Sequence, residues 1–297
     1  MTKEFKSGFV SIIGRPNVGK STLLNNMIGE KIAIMSNKPQ TTRNKVLAIL
    51  STEEYQIVFM DTPGIHKPKN KLGEFMVKAA RDTLNEVDTI LFVVEADKNI
   101  GQGELKIIEE LKGTNTPVIL VINKVDLVKK DMILPLIEEY GKVFDFHSMI
   151  PISALNNDGT TMILDDIKKI LPEGPQYFPE DMITDQPERQ IVAEIIREKV
   201  LQLLQKEVPH GVAVEVLSMK DNQNKDIIEI TANIYCEKDS HKGIIIGNKG
   251  VTLKRIGSLA RADIEKFLGS KVFLEVWVKV KKDWRNKDFF IKNFGYQ

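Results

Sequence analysis

The segment GRPNVGKS, Gly14 to Ser21, lies between a short apolar run, Phe9 to Ile13, and a stretch from Ser21 to Ile28 that reads as a helix. A glycine-bearing turn in this pattern, after a strand and before a helix, is a phosphate-loop arrangement. Its glycines let backbone amides approach phosphate oxygens, and the helix N-terminus adds its positive end. Lys20 is expected to reach the β- and γ-phosphates and Ser21 to ligate Mg²⁺. Gly14, Arg15, Pro16, Asn17, Val18, Gly19 and Thr22 complete the expected nucleotide contacts of this segment.

The order of elements agrees with an α/β fold. Strands are expected at residues 46–51, 56–60, 89–94, 117–122 and 150–152, and helices at 72–84, 103–111, 132–140 and 162–171. Continuous apolar strands separated by helices indicate a mostly parallel sheet covered on both faces. The neighbouring strands at 46–60 are expected to form a hairpin at one edge. At 297 residues the chain suits two domains. The proline- and acid-rich stretch from residue 173 to 188 reads as a linker. It would divide a first domain, 1–172, from a second, 189–297, whose order is helix, strand, strand, helix, helix, strand.

Three more motifs fall at strand ends in the first half, where ligands bind in such sheets. DTPG supplies Asp61 for Mg²⁺ through water, with Thr62, Pro63 and the Gly64 amide near the γ-phosphate. NKVD supplies Asp126, which can accept from both N1–H and the 2-amino group of guanine; adenine lacks that donor pair. Asn123 would brace the loops and Lys124 would lie over the base. In SAL, Ser153 to Leu155, the Ala154 amide is placed to donate to guanine O6, beside Ser153. QTTR, Gln40 to Arg43, offers a threonine hydroxyl as a second Mg²⁺ ligand, Thr42 in preference to Thr41. These residues resemble the translation-factor-related GTPases. In that resemblance a residue beside DxxG often orients the attacking water; here it is Ile65, which cannot hydrogen-bond a water, so hydrolysis is expected to be slow or assisted. Asn17 in the PN pair is, by the same resemblance, a K⁺ candidate beside the phosphates.

The net charge of +1 conceals a division. From Lys242 to Gln297 there are 13 basic and 5 acidic residues, a net +8, while the remainder carries −7. Within the basic end, GIIIGNKG contains GxxG: Gly247, Asn248, Lys249 and Gly250. Lys254, Arg255 and Arg261 follow at helical spacing and can face phosphates. Ile244, Ile245 and Ile246 read as core. The strand at 271–281 places Val272, Leu274, Val276 and Val278 on one face, and Phe273, Glu275, Trp277 and Lys279 on the other. Lys281, Lys282, Arg285 and Lys287 then interleave with Trp284 and Phe289, a composition that suits single-stranded RNA as well as simple packing of the rings.

One cysteine, Cys236, excludes an internal disulfide and suits a reducing cytoplasm. Four scattered histidines offer no metal cluster. MTKEFKSGF lacks the apolar core of a signal peptide, and no apolar run approaches the ~20 residues that span a bilayer.

GRPNVGKST, QTTRNK, DTPGIHKP, NKVDL and PISAL, followed by IIREKV, GIIIGNKG and VKVKKDWRNK, together resemble the Era family of GTPases over nearly the whole chain. The resemblance implies a P-loop GTPase domain followed by an α+β KH type II domain. It further implies hydrolysis of GTP to GDP with Mg²⁺, and binding to the 3′ end of 16S rRNA and to the 30S subunit during its maturation. A cytoplasmic location with some peripheral membrane association is implied, and DNA is not an expected partner. The GxxG interior departs from the GKGG common in the family, its lysine shifted by one place.

Overall fold

Thr89–Glu95 (TILFVVE) and Val118–Asn123 (VILVIN) are buried along their whole lengths. Strands with no solvent-facing residue need a layer of helices on each side. The computed structural model describes residues 4–34, 41–43, 46–61, 63, 68, 70–82, 87–205, 208–223 and 225–296. The chain divides into two compact units. The first comprises Met1–Ala33, Thr42–Pro68 and Gly73–Asp185; the second comprises Ile34–Thr41, Lys69–Leu72 and Gln186–Gln297.

In the first unit, β1 (Lys6–Ile13), β2 (Val46–Ser51), β3 (Tyr55–Asp61), β4 (Thr89–Glu95), β5 (Val118–Asn123) and β6 (Ser148–Pro151) form one sheet in the order β2-β3-β1-β4-β5-β6. The β2–β3 pair is antiparallel at the edge, as its sequence suggests, and the other pairs are parallel. The helices are α1 (Lys20–Ile28), α2 (Lys71–Asp82), α3 (Gln102–Leu111), α4 (Ile133–Val143) and α5 (Thr160–Ile170). Successive strand residues serve opposite faces. Ile12, Leu91 and Val93 join Leu23, Leu24 and Ile163 of α1 and α5. Ile13, Phe92 and Leu120 join Ile107, Leu111 and Tyr140 of α3 and α4. Each fully buried aliphatic side chain contributes about 1.5–3 kcal/mol, and the sheet they hold fixes the strand ends where the motifs lie.

Residues 173–185, expected as linker, are laid along the first unit. The buried Gln56 side chain accepts from the Tyr177 and Phe178 amides at 2.8 and 3.0 Å and donates to the Phe178 carbonyl at 2.9 Å. Ser7 Oγ donates to the Pro175 carbonyl at 2.7 Å, and the Tyr177 ring meets Phe9 at 5.0 Å. Farther along, the Ile49 amide donates to the Ile183 carbonyl at 2.9 Å. The segment therefore covers the open edge of β2, where unpaired backbone groups would otherwise need water.

The second unit holds α6 (Glu188–Leu203), β7 (Ala213–Asn222), β8 (Ile227–Cys236), α7 (Asp239–Ile246), α8 (Val251–Leu268), β9 (Val272–Val280) and α9 (Asp288–Asn293). Its sheet order is β7-β8-β9, antiparallel then parallel. Ile230, Ala232, Ile234 and Val278 pack against Ile195, Ile256, Ala260 and Ile264 of α6 and α8. α7 is a helix of 8 residues. The C-terminal tail is packed rather than extended: Trp284 is fully buried, its Nε1 donates to the Gly211 carbonyl at 2.9 Å, and its ring meets Phe294 and Tyr296. Among the described residues no helix is long and apolar enough to cross a membrane.

Candidate functional site

The loop Gly14–Gly19 joins β1 to α1 at the carboxyl end of the sheet, between β3 and β4. Gly19 has φ 102, and a Cβ there would stand 2.2 Å from Asn123 Nδ2, so only glycine fits. That contact is functional packing. Asn123 Nδ2 donates to the Val18 carbonyl at 2.8 Å, and its Oδ1 accepts from the Lys124 and Ala154 amides at 2.8 and 2.9 Å. One buried side chain thus ties three motifs together, the bracing role expected of Asn123.

Lys20 is buried, and its Nζ donates to the Gly14 and Arg15 carbonyls at 3.1 and 3.0 Å. Burial pushes the ammonium down to about 8, opposed by the Asp61 carboxylate. A phosphate oxygen beside it would restore the charged form. Three oxygens converge nearby: Ser21 Oγ lies 3.0 Å from Thr42 Oγ1 and 3.1 Å from Asp61 Oδ2, and Thr42 Oγ1 lies 3.3 Å from the same carboxylate oxygen. Hydroxyls and a carboxylate are hard donors of the kind Mg²⁺ takes. The geometry brings Thr42, rather than Thr41, to this cluster by its side chain. Among the described residues no group of three or more His, Cys, Asp or Glu could hold a metal ion.

At the base-recognition end, Asp126 is exposed, and Ser153 Oγ donates to its Oδ1 at 2.5 Å. The Ala154 amide, expected for guanine O6, is here the donor to Asn123 Oδ1, so it reaches a base oxygen only as a shared donor. Lys124 has a left-handed backbone, φ 68, and its Nζ pairs with Glu95, whose other oxygen meets Lys98. Burial alone would raise the Glu95 carboxyl, but the two ammonium groups hold it below the usual carboxylate range. Glu95 was not legible as a site residue; its position at the end of β4, beside Asn123, is the signal that could have found it. Pro63 is buried, Pro16 and Thr22 are half-buried, and Arg15 and Asn17 are exposed, Asn17 with φ 70. Thr62 and Gly64, with Gln40 and Ile65, lie outside the described residues.

In the second unit the GxxG turn links α7 to α8. Gly247 has φ 74, and a Cβ there would meet Thr252 Oγ1 at 2.2 Å. Asn248 and Lys249 are exposed at the turn, and Gly250 caps the N-terminus of α8. From Gly250 a groove of about 540 Å³ runs between α8 and β9. Lys254 and Arg261 form a cationic wall, Val272, Leu274 and Val276 an apolar one, and no acidic residue lines it. Arg255 is exposed on the same helix but is not part of the lining. Lys281 stands over the Phe290 ring, Lys282 is exposed, and Arg285 pairs with Glu237 at 2.5 Å. Of the two tryptophans, Trp284 is core, whereas Trp277 is 55% exposed. Of the three isoleucines expected as core, only Ile245 is fully buried; Ile244 is 50% exposed.

The family of 50S ribosome-binding GTPases matches residues 9–124, and the KH domain family matches residues 207–285. GTPase Era of Alkaliphilus metalliredigens is 60% identical over 296 residues, covering 99% of each chain. GTPase Era of Clostridioides difficile is 60% identical over 293 residues, covering 98% of this chain and 99% of its own. The crystal structure of an Aquifex aeolicus Era variant bound to GDP.AlF4- superposes with a TM-score of 0.95 at 44% identity, covering 98% and 99% of the two chains. A structure of Era with MgGDPNP and nucleotides 1506–1542 of 16S ribosomal RNA matches with the same score, identity and coverage. With a phosphate loop, a guanine-type strand end and a GxxG groove on one chain, and relatives this similar over its full length, the chain belongs to the Era family of GTPases.

Proposed function

We propose that this GTPase is a switch in which bound GTP or GDP sets the affinity of its second unit for single-stranded RNA. The RNA is the 3′ end of 16S rRNA on the 30S subunit, and the step is small-subunit maturation. The observation that carries the RNA half is the groove between α8 and β9, with its cationic wall, its apolar wall and the exposed turn Gly247–Gly250 at one end. Phosphates meet Lys254 and Arg261, and unstacked bases lie against Val272, Leu274 and Val276. The relative that holds a 16S rRNA segment supports this choice of RNA. The 50S wording of the other matched family applies to residues 9–124, which lack the groove.

For the nucleotide half, Asp126 reads guanine N1–H and the 2-amino group, steadied by Ser153, and Lys124 lies over the base. The backbone N–H groups of residues 14–19 other than Pro16, together with Lys20, neutralise the charge that develops on the β- and γ-phosphates. Ser21, Thr42 and Asp61 would hold Mg²⁺, which when bound withdraws charge from the phosphate oxygens. A water attacks the γ-phosphorus in line; the bond to the β-phosphate oxygen breaks, leaving GDP and inorganic phosphate. Loss of the γ-phosphate then removes the group that Thr42 and the Gly64 amide would contact. K⁺ at Asn17 would assist, and equal hydrolysis rates in K⁺ and Na⁺ buffers would overturn that role.

The test is binding of an RNA carrying the 16S 3′ sequence, against a scrambled control, with GDP and with a non-hydrolysable GTP analogue. Tighter binding of the cognate sequence in one nucleotide state supports the switch. Equal affinity in both states makes the protein a constitutive RNA binder, and equal affinity for both sequences removes the 16S assignment.

A further inference from the structure

The second residue of the phosphate loop sends its side chain to a neighbouring helix. Arg15 Nη1 bonds Glu104 Oε1 at 3.0 Å, and that carboxylate is only 6% exposed, against 45% for the Arg15 side chain. The other Glu104 oxygen accepts the Gly101 amide at 3.1 Å, so the first turn of α3 fixes the carboxylate's orientation. Between the two charged residues lies Gly103. A Cβ there would stand 2.9 Å from Arg15 Cδ and 3.0 Å from Nε. The start of α3 thus has a charge where the guanidinium ends and a missing side chain where its stem passes. The Arg15 carbonyl, in turn, is one of the two seats of Lys20 Nζ.

We propose that the first turn of α3, through Gly103 and Glu104, positions the phosphate loop by holding Arg15, which makes Arg15 a positioning residue rather than a phosphate ligand. The inference rests on reading Gly14–Ser21 as the phosphate seat. A largely buried carboxylate that loses its cation is costly, so the pair is held firmly on the Glu104 side. The contact is a single charge-assisted hydrogen bond from the guanidinium. The order of action is Glu104 to Arg15, Arg15 backbone to Lys20, and Lys20 to the phosphates.

The experiment measures Kd for GDP and a non-hydrolysable GTP analogue, with thermal unfolding of the nucleotide-free protein, for Arg15→Ala, Glu104→Ala, their double variant, Arg15→Lys and Gly103→Ala. Lys20→Ala is the check on the site. Each alanine variant is expected to weaken analogue binding about tenfold, the loss of one well-placed charge-assisted bond. The double variant should be no weaker than the worse single, and Arg15→Lys should recover part of the loss. Gly103→Ala keeps both charges and replaces a glycine in the first turn of α3 by a better helix former. Its unfolding midpoint should hold or rise while its affinity falls, which a purely structural pair would not produce. Unchanged affinity in Arg15→Ala and Gly103→Ala, or losses that multiply in the double variant, would overturn the proposal while Lys20→Ala still loses binding. Unchanged binding in Lys20→Ala would instead remove the phosphate-seat reading itself.

Discussion

The proposed nucleotide site and the proposed RNA groove use opposite kinds of polar residue. Asp61, Asn123, Ser153 and Lys20 are buried. Asn123 and Lys20 each hold two or more fixed protein partners, and Ser153 holds Asp126. Lys249, Lys254, Arg255 and Arg261 are exposed, and Lys254 and Arg261 line an open groove. A buried polar group left unmatched costs about 1–3 kcal/mol, so a ligand or substitution that leaves these buried groups unmatched is penalised sharply at the first site. Solvated cations gain through displaced counterions, with no fixed geometry. The second site should therefore lose affinity by degrees and depend on salt. Four sets of substitutions can break or sharpen that contrast.

The largest effect is expected at Lys20. Lys20→Ala should lower GTP turnover by about 10³-fold, the scale of losing one preorganised charge at a reacting centre. Its RNA affinity in the nucleotide-free state should remain near wild type. Phosphate release measured beside RNA binding checks both, and wild-type turnover would remove the site.

Asp126→Asn comes next. An amide can still accept N1–H but presents a donor where guanine presents its 2-amino group, leaving two donors opposed. Guanine affinity should fall by about 10²-fold or more. Xanthosine nucleotides, which have a carbonyl at that position, should be preferred instead. Competition between GDP and its xanthosine analogue reads this directly, and unchanged guanine preference would count against Asp126.

The two sites also differed in how far the sequence disclosed them. Asn123, Asp126, Ser153 and Asp61 sit at or just beyond strand ends, so a short motif fixes both residue and place. The groove was visible only in part. Gly247 and Gly250 are a motif, but the wall made by Val272, Leu274 and Val276 depends on how β9 meets α8. Trp277 and Trp284 look alike in the sequence, yet the chain after β9 turns back and buries one of them under Phe294 and Tyr296. Residues 173–185 show no periodicity because their order comes from remote partners, Gln56 above all. The Arg15–Glu104 pair joins residues 89 positions apart, and no local pattern announces such a contact. Ala154 was assigned to the base on its motif alone, and the competing acceptor on Asn123 appears only in three dimensions.

Replacing Gly247 and Gly250 with Asp places two negative charges on the turn, each at a position with positive φ. RNA affinity should fall by about a hundredfold, with GTP hydrolysis in the absence of RNA nearly unchanged. Lost hydrolysis in that variant would undo the separation of the two sites.

The smallest effects belong to the cationic wall, and they test the contrast most closely. Lys254→Ala and Arg261→Ala each remove one solvated charge, so each should weaken RNA binding only a few-fold at moderate salt. The informative quantity is the slope of log affinity against log salt concentration. For single strands each neutralised phosphate contributes about 0.7 to that slope, so each variant should flatten it by roughly that amount and the double variant by about twice as much. Additivity is expected because solvated charges about two turns apart on α8 share no buried partner. A large loss from either single variant, with no change in slope, would mean that the residue reads a base in a fixed geometry, and the groove would then resemble the nucleotide site it is contrasted with here.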